Sequence, residues 1–213
     1  MSAGAKEKKK TTDVASADMR SVVFNLPNQL TWMRLILAMV MFALMSYGRY
    51  TPALWLFVAA ASTDWLDGYL ARKYNMVTTL GRILDPFADK VVVCGTFIYL
   101  AATPGFGQYL PAWMAVVVVG RELLVTALRG FLEQQGADFS ASMSGKLKMV
   151  FQCTAAVASL YALAFFATEL KDSGEIPVVW LHWFLLVSIW SAVLITVYSG
   201  VGYIVTAVRL LRQ

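Results

Sequence analysis

The sequence predicts an all-α integral membrane protein with six transmembrane helices and both termini in the cytoplasm. Three observations predict it. Hydrophobic residues make up 59% of the 213 positions, and the mean hydropathy is +0.62, well above the level of a soluble domain. The apolar residues gather into runs of about 20, the length of helix that crosses a hydrocarbon core. Once six spans are drawn, the 18 Lys and Arg residues fall overwhelmingly on one side, as the positive-inside rule requires.

The elements follow in order. Residues 1–22 are polar and include Lys6, Lys8, Lys9 and Lys10, a composition expected of a disordered basic tail held near anionic lipid. No apolar segment with a small-residue cleavage site follows closely, so a cleaved signal peptide is not expected. Residues 23–213 form the membrane domain, with spans expected at roughly 28–47, 52–72, 84–102, 110–132, 148–168 and 178–208. Turn residues separate several of them: Gly48 and Pro52, Pro104 to Gly107, Gly136, and Ser173-Gly174 with Pro177. The chain shows no internal repeat, which argues against an inverted-repeat transporter.

With the N-terminus inside, Arg49 and Lys171 are the two basic residues left on the outer side. Tyr47, Tyr50 and Trp55, then Tyr109 and Trp113, then Trp180 and Trp183 flank the three outer turns as expected interfacial anchors. The net charge of +5 is thus a topology signal. No basic patch interleaved with aromatics points to nucleic acid. Cys94 and Cys153 lie in apolar runs and read as small core residues, with no disulfide or zinc spacing. His182, between Leu181 and Trp183, reads as an interfacial side chain.

Four aspartates break the apolar pattern. Asp64 and Asp67 are three apart in the inward-running second span, and Asp85 and Asp89 are four apart at the start of the third. Each pair shares a helix face, and the topology brings both pairs to similar depth from opposite directions. Carboxylates in apolar surroundings are costly unless they meet cations. Oxygen-only ligation suits two Mg²⁺ or Mn²⁺ ions, and such a pair supports phosphoryl displacement. Asp85 precedes Pro86, which fits a helix start or a local break. Gly68 and Ala71 permit close approach of a helix or substrate, Gly81 does the same in the connecting loop, and Arg72 can neutralise a phosphate at the membrane edge. The competing account is a set of buried ion pairs with Arg72, Lys73, Arg82 and Lys90.

Further basic residues suggest a second anion. Arg121, Val125 and Arg129 share a face of the fourth span, and Lys146 and Lys148 open the fifth. A bound group that carries its own phosphate would require such charge. The competing account is snorkelling, or pairing of Arg121 with a carboxylate; Glu122 and Glu133 stand nearby to orient the arginines. Asn28, Thr31 and Arg34 lie near the start of the first span, where they can cap the helix or contact a headgroup.

The pattern Asp64-x-x-Asp67-Gly68-x-x-Ala71-Arg72, eight residues, Gly81-x-x-x-Asp85-x-x-x-Asp89 resembles the signature of the CDP-alcohol phosphotransferases. The resemblance implies that family's six-helix bundle and displacement at the β-phosphorus of a CDP-linked lipid with release of CMP. It implies that Asp64, Asp67, Asp85 and Asp89 bind two metal ions, with Asp89 as general base. It implies that Gly68, Arg72 and Thr78 contact the CDP moiety, with Asn28, Thr31, Ala71 and Gly81 beside them in the donor-lipid site. The stretches Phe24 to Arg34, Leu84 to Lys90, Gly120-Arg121-Glu122, Arg129 to Leu132 and Ser144 to Lys148 are similar to phosphatidylglycerophosphate synthases within that family. They imply CDP-diacylglycerol and sn-glycerol 3-phosphate as substrates, with Arg121, Arg129, Lys146 and Lys148 on the acceptor phosphate. Met149 departs from the threonine usual after the second lysine. The family further implies a homodimer, and the expected location is a bacterial inner membrane with the site facing the cytoplasm. Inositol phosphate or phosphatidylglycerol as acceptor, and a divalent-cation transporter, are the alternatives.

Overall fold

The computed structural model describes the backbone of residues 26–74, 79–134 and 143–211; side chains at 26–28, 64–74, 79–83, 85, 133–134, 143–144, 146 and 210–211 lie outside the description. The basic tail and Thr78 fall outside the described residues. Six helices follow one another: α1 (Leu26–Ser46), α2 (Tyr50–Tyr74), α3 (Thr79–Ala102), α4 (Ala112–Gln134), α5 (Met143–Asp172) and α6 (Val179–Leu211). No strand occurs among the described residues. Each expected span coincides with one helix. Among the described residues, three helices carry a stretch long and apolar enough to cross a membrane: Gln29–Ser46, Leu147–Asp172 and Val179–Arg209.

The distribution of side chains is that of a chain whose solvent is lipid. Large apolar residues are exposed on every helix, among them Ile36, Met39, Trp55, Ile98, Val116, Phe165, Val187 and Leu194. Several polar residues are instead buried, including Thr31, Arg34, Glu122, Gln152, Thr196 and Ser199. In lipid, helices associate through close packing and interhelical hydrogen bonds, since apolar burial gains little there. Both devices are present. Ala38, Ala53, Ala60, Ala156, Ala162 and Ala192 lie in the core. At Gly95 of α3 a Cβ would overlap the ring of Phe42 on α1, and that ring stacks on Tyr99 with centroids 5.3 Å apart. Gln152 of α5 donates to Thr196 of α6 at 3.0 Å.

The helices alternate in direction. α1 packs on α2 and α3, α2 on α5, α3 on α4, α4 on α6, and α5 along α6. One end gathers the turns expected outside. Ser46 Oγ donates to the Tyr99 hydroxyl at 3.0 Å, joining the ends of α1 and α3. Gly48, at φ 68°, closes α1: its N–H bonds Met45 O at 3.0 Å and that of Arg49 bonds Leu44 O at 2.8 Å, the paired bonds of a Schellman cap. Gly105, at φ 80°, lets the α3–α4 loop lie on the end of α5, where a Cβ would overlap the Leu170 carbonyl.

Two expectations are corrected here. Tyr109 is not an interfacial anchor: it is 1% exposed. Its hydroxyl accepts from Ile176 N at 3.2 Å and is hydrogen-bonded to His182 Nδ1 at 2.8 Å, so its polar tip needs no water. Trp55, Trp113, Trp180 and Trp183 do face outward. Of the two readings of Asp85-Pro86, the helix start is set aside and the local break is left: Pro86 lies inside α3, which begins at Thr79, and its missing N–H interrupts the helical bonds there. Asp85 therefore stands well into a helix, away from the free N–H groups of a helix start.

Candidate active site

The end opposite those turns holds Asp89 and the Arg121, Glu122 and Lys148 cluster. Helical register sets the carboxylates. Asp64 and Asp67 fall on α2 four and seven residues after Ala60, hence on Ala60's face. Ala60 is buried and lines a narrow crevice with Asp89, Arg34, Phe57, Met149 and Cys153. Asp89 of α3 is half-buried there, and Lys90 beside it donates to Pro86 O at 3.2 Å. Asp64, Asp67 and Asp85 have helical backbones, but their side chains lie outside the description, as do those of Asn28, Gly68, Ala71, Arg72, Gly81 and Lys146. Among the described residues no group of three potential metal ligands occurs. The donor set that shares this register is carboxylate alone, which fits a hard divalent ion.

Arg34 is the buried surprise of this crevice, at 1% exposure. Its place in the first span signalled a headgroup contact or cap; the fold sets it in the lining of the same crevice as Asp89. Thr31, one turn earlier, is fully buried. A guanidinium in so dry a place needs anionic or polar partners.

An apolar groove adjoins the crevice. With a volume of about 720 Å³, it runs between α2, α5 and α6, lined by Val58, Val157, Tyr161, Trp180 and Phe184 among others. It shares Phe57, Ala61, Met149 and Cys153 with the crevice. Met149, the residue that departs from the expected pattern, thus sits where polar site and apolar groove meet.

A second charged cluster joins α4, α5 and α6. Glu122 of α4 is 4% exposed. Its Oε1 accepts from Arg121 Nη1 at 3.0 Å and from Lys148 Nζ at 2.7 Å. Arg121 Nη2 donates to Ser199 Oγ of α6 at 2.7 Å. The structure therefore unites Glu122 and Lys148, which the sequence separates by 26 residues, and brings Arg121 to the same carboxylate. Two cations on one carboxylate leave a formal excess of one positive charge. Arg129, two turns further along α4, is exposed. Sequence reasoning placed Glu122 beside the arginines but had no means to find Ser199, because a serine in an apolar final span carries no mark of its partner.

Comparison with known proteins agrees with this geometry. Residues 24–198 match the family described as CDP-alcohol phosphatidyltransferase. The chain is 36% identical over 197 residues to the CDP-diacylglycerol–glycerol-3-phosphate 3-phosphatidyltransferase of Bacillus subtilis, covering 85% of this chain and 94% of that one. It is 34% identical over 183 residues to the enzyme of the same name from Rickettsia typhi, covering 84% and 94%. It is 36% identical over 196 residues to a probable phosphatidylglycerophosphate synthase of Mycobacterium tuberculosis, covering 89% and 85%. With matched residues that run from the start of α1 into α6 and take in all four aspartates, the chain belongs to the CDP-alcohol phosphatidyltransferase family.

Proposed function

We propose that this membrane protein transfers the phosphatidyl group of CDP-diacylglycerol to sn-glycerol 3-phosphate, giving phosphatidylglycerophosphate and CMP. The observation that carries the reading is the match over residues 24–198, which contains the whole aspartate pattern, joined to relatives named for this reaction along nearly their full length. It is a transferase of phospholipid biosynthesis, and its long apolar helices place it in a membrane. Six spans with both termini cytoplasmic, in a bacterial inner membrane and as a homodimer, complete the proposal.

Asp64, Asp67, Asp85 and Asp89 would hold two divalent ions, Mg²⁺ or Mn²⁺. When bound, such ions neutralise the pyrophosphate and polarise the phosphorus under attack. Asp89 accepts the proton of the acceptor hydroxyl. The acceptor oxygen bonds to the β-phosphorus as the bridging oxygen leaves with CMP, so one P–O bond forms and one breaks. Gly68, Ala71, Arg72, Thr78 and Gly81, with Asn28 and Thr31, hold the donor headgroup. An acyl chain of the donor occupies the groove between α2, α5 and α6, which meets the Asp89 crevice at Met149. Arg121 and Lys148, with Arg129 and Lys146, hold the acceptor phosphate.

An acceptor screen with the purified protein tests this. CMP release from CDP-diacylglycerol is expected to require a divalent ion and glycerol 3-phosphate. Release with inositol phosphate or phosphatidylglycerol alone would reassign the acceptor. Cation flux into liposomes without CMP formation would overturn the enzymatic reading.

A further inference from the structure

α6 contributes nothing to the aspartate pattern and none of the basic residues assigned to the acceptor, yet it surrounds Arg121. Ser199 Oγ accepts from Nη2 at 2.7 Å. The Tyr203 ring lies under the guanidinium, 5.5 Å from its carbon to the ring centroid, within cation–π range. Gly200 lets the arginine shaft pass: a Cβ there would stand 3.0 Å from Arg121 Cγ. Ser199 and Tyr203 are four residues apart and so share one face of α6. Tyr203 is itself packed against Leu132 and Ala207 where α4 meets α6.

We propose that Ser199, Gly200 and Tyr203 form a neutral cradle that positions Arg121 for the acceptor's phosphate and keeps its charge available. The inference rests on the reading of Arg121 and Lys148 as acceptor-phosphate residues. A buried guanidinium needs partners on its edges and face. Were those partners carboxylates, the cluster would be neutral and would not attract a dianion. Glu122 already offsets one of two cations. α6 supplies a hydroxyl, a gap and an aromatic face, each of which holds a guanidinium without cancelling it. Arg121 Nε is buried with no hydrogen-bond partner among the described residues, so the guanidinium retains donor capacity after its contacts to Glu122 and Ser199.

The test is steady-state kinetics of the full chain, varying glycerol 3-phosphate and CDP-diacylglycerol in turn, with thermal unfolding recorded for each variant. Ser199→Ala and Tyr203→Leu are expected to raise KM for glycerol 3-phosphate roughly tenfold and to leave KM for CDP-diacylglycerol unchanged. Tyr203→Phe keeps the ring and should stay near the parent value. Ser199→Asp is the sharpest variant: it adds an ion pair to Arg121 and so should not lower the unfolding temperature, while raising the acceptor KM beyond that of Ser199→Ala. Arg121→Ala is the control. If it raises the acceptor KM while the Ser199 and Tyr203 variants leave that KM unchanged, or shift both KM values equally, the cradle is overturned and the acceptor reading stands. If Arg121→Ala leaves the acceptor KM unchanged, the acceptor reading falls and the cradle with it.

Discussion

Glu122 shows how one residue can serve a charged site inside lipid. Its Oε1 takes hydrogen bonds from Arg121 and Lys148 together, so neither cation faces the other without an anion between them. Removing one partner of a buried ionic group costs more than the pair contributes, because the remaining charge stays buried. Glu122→Gln is therefore expected to destabilise the protein by about 3 kcal/mol, read as a lowered unfolding temperature in detergent. Asp89 is a different case, since the reaction uses it directly. Asp89→Asn is expected to cut turnover by at least roughly 10²-fold while a fluorescent CDP-diacylglycerol analogue still binds. Turnover at the parent rate would remove Asp89 as the base.

At the scale of elements, helix ends and close crossings carry the specificity. Gly105 joins two demands, a left-handed φ of 80° and contact with the end of α5. Gly105→Ala should destabilise by more than the ~1 kcal/mol of conformational strain alone, since the Leu170 carbonyl must also move; thermal unfolding measures it. The groove between α2, α5 and α6 is likewise a property of how three helices meet. Val157 lines it away from the Asp89 crevice. Val157→Trp should fill the groove and raise KM for CDP-diacylglycerol several-fold without changing that for glycerol 3-phosphate. Equal effects on both substrates would argue against an acyl chain there.

At the scale of the whole molecule, the alternating helices gather, among the described residues, the turns at Gly48, Gly105 and Gly174 at one end and the Asp89 crevice and Glu122 cluster toward the other. The contacts of Ser46 with Tyr99 and of Tyr109 with His182 and Ile176 hold the first end together; Asp89, Arg121, Glu122 and Lys148 lie toward the second. This fits the bias of the basic residues, because a site for anionic substrates and the positive-inside rule draw Lys and Arg to the same leaflet. In a chain carrying Cys94→Ala and Cys153→Ala, Asp172→Cys should react with an impermeant maleimide in intact bacterial cells. Arg209→Cys should react after permeabilisation alone. The reverse pattern would invert the topology.

The sequence by itself determined the number and approximate course of the helices, because hydrophobic length is a local property and lipid allows few alternatives to a helix. It also determined the register of Asp64, Asp67, Asp85 and Asp89, since residues three or four apart share a helix face wherever the helix lies. The tertiary structure decided what those local patterns leave open. It buried Tyr109 by giving its hydroxyl partners on the α5–α6 loop and α6, carried α3 upstream through Pro86, and set Arg34 in the lining of the Asp89 crevice. It paired Arg121 with Lys148 through Glu122 and brought Ser199 and Tyr203 to the same guanidinium. Those outcomes depend on which helix packs against which, and contacts between residues as distant as Arg121 and Ser199 leave no periodic trace along the chain.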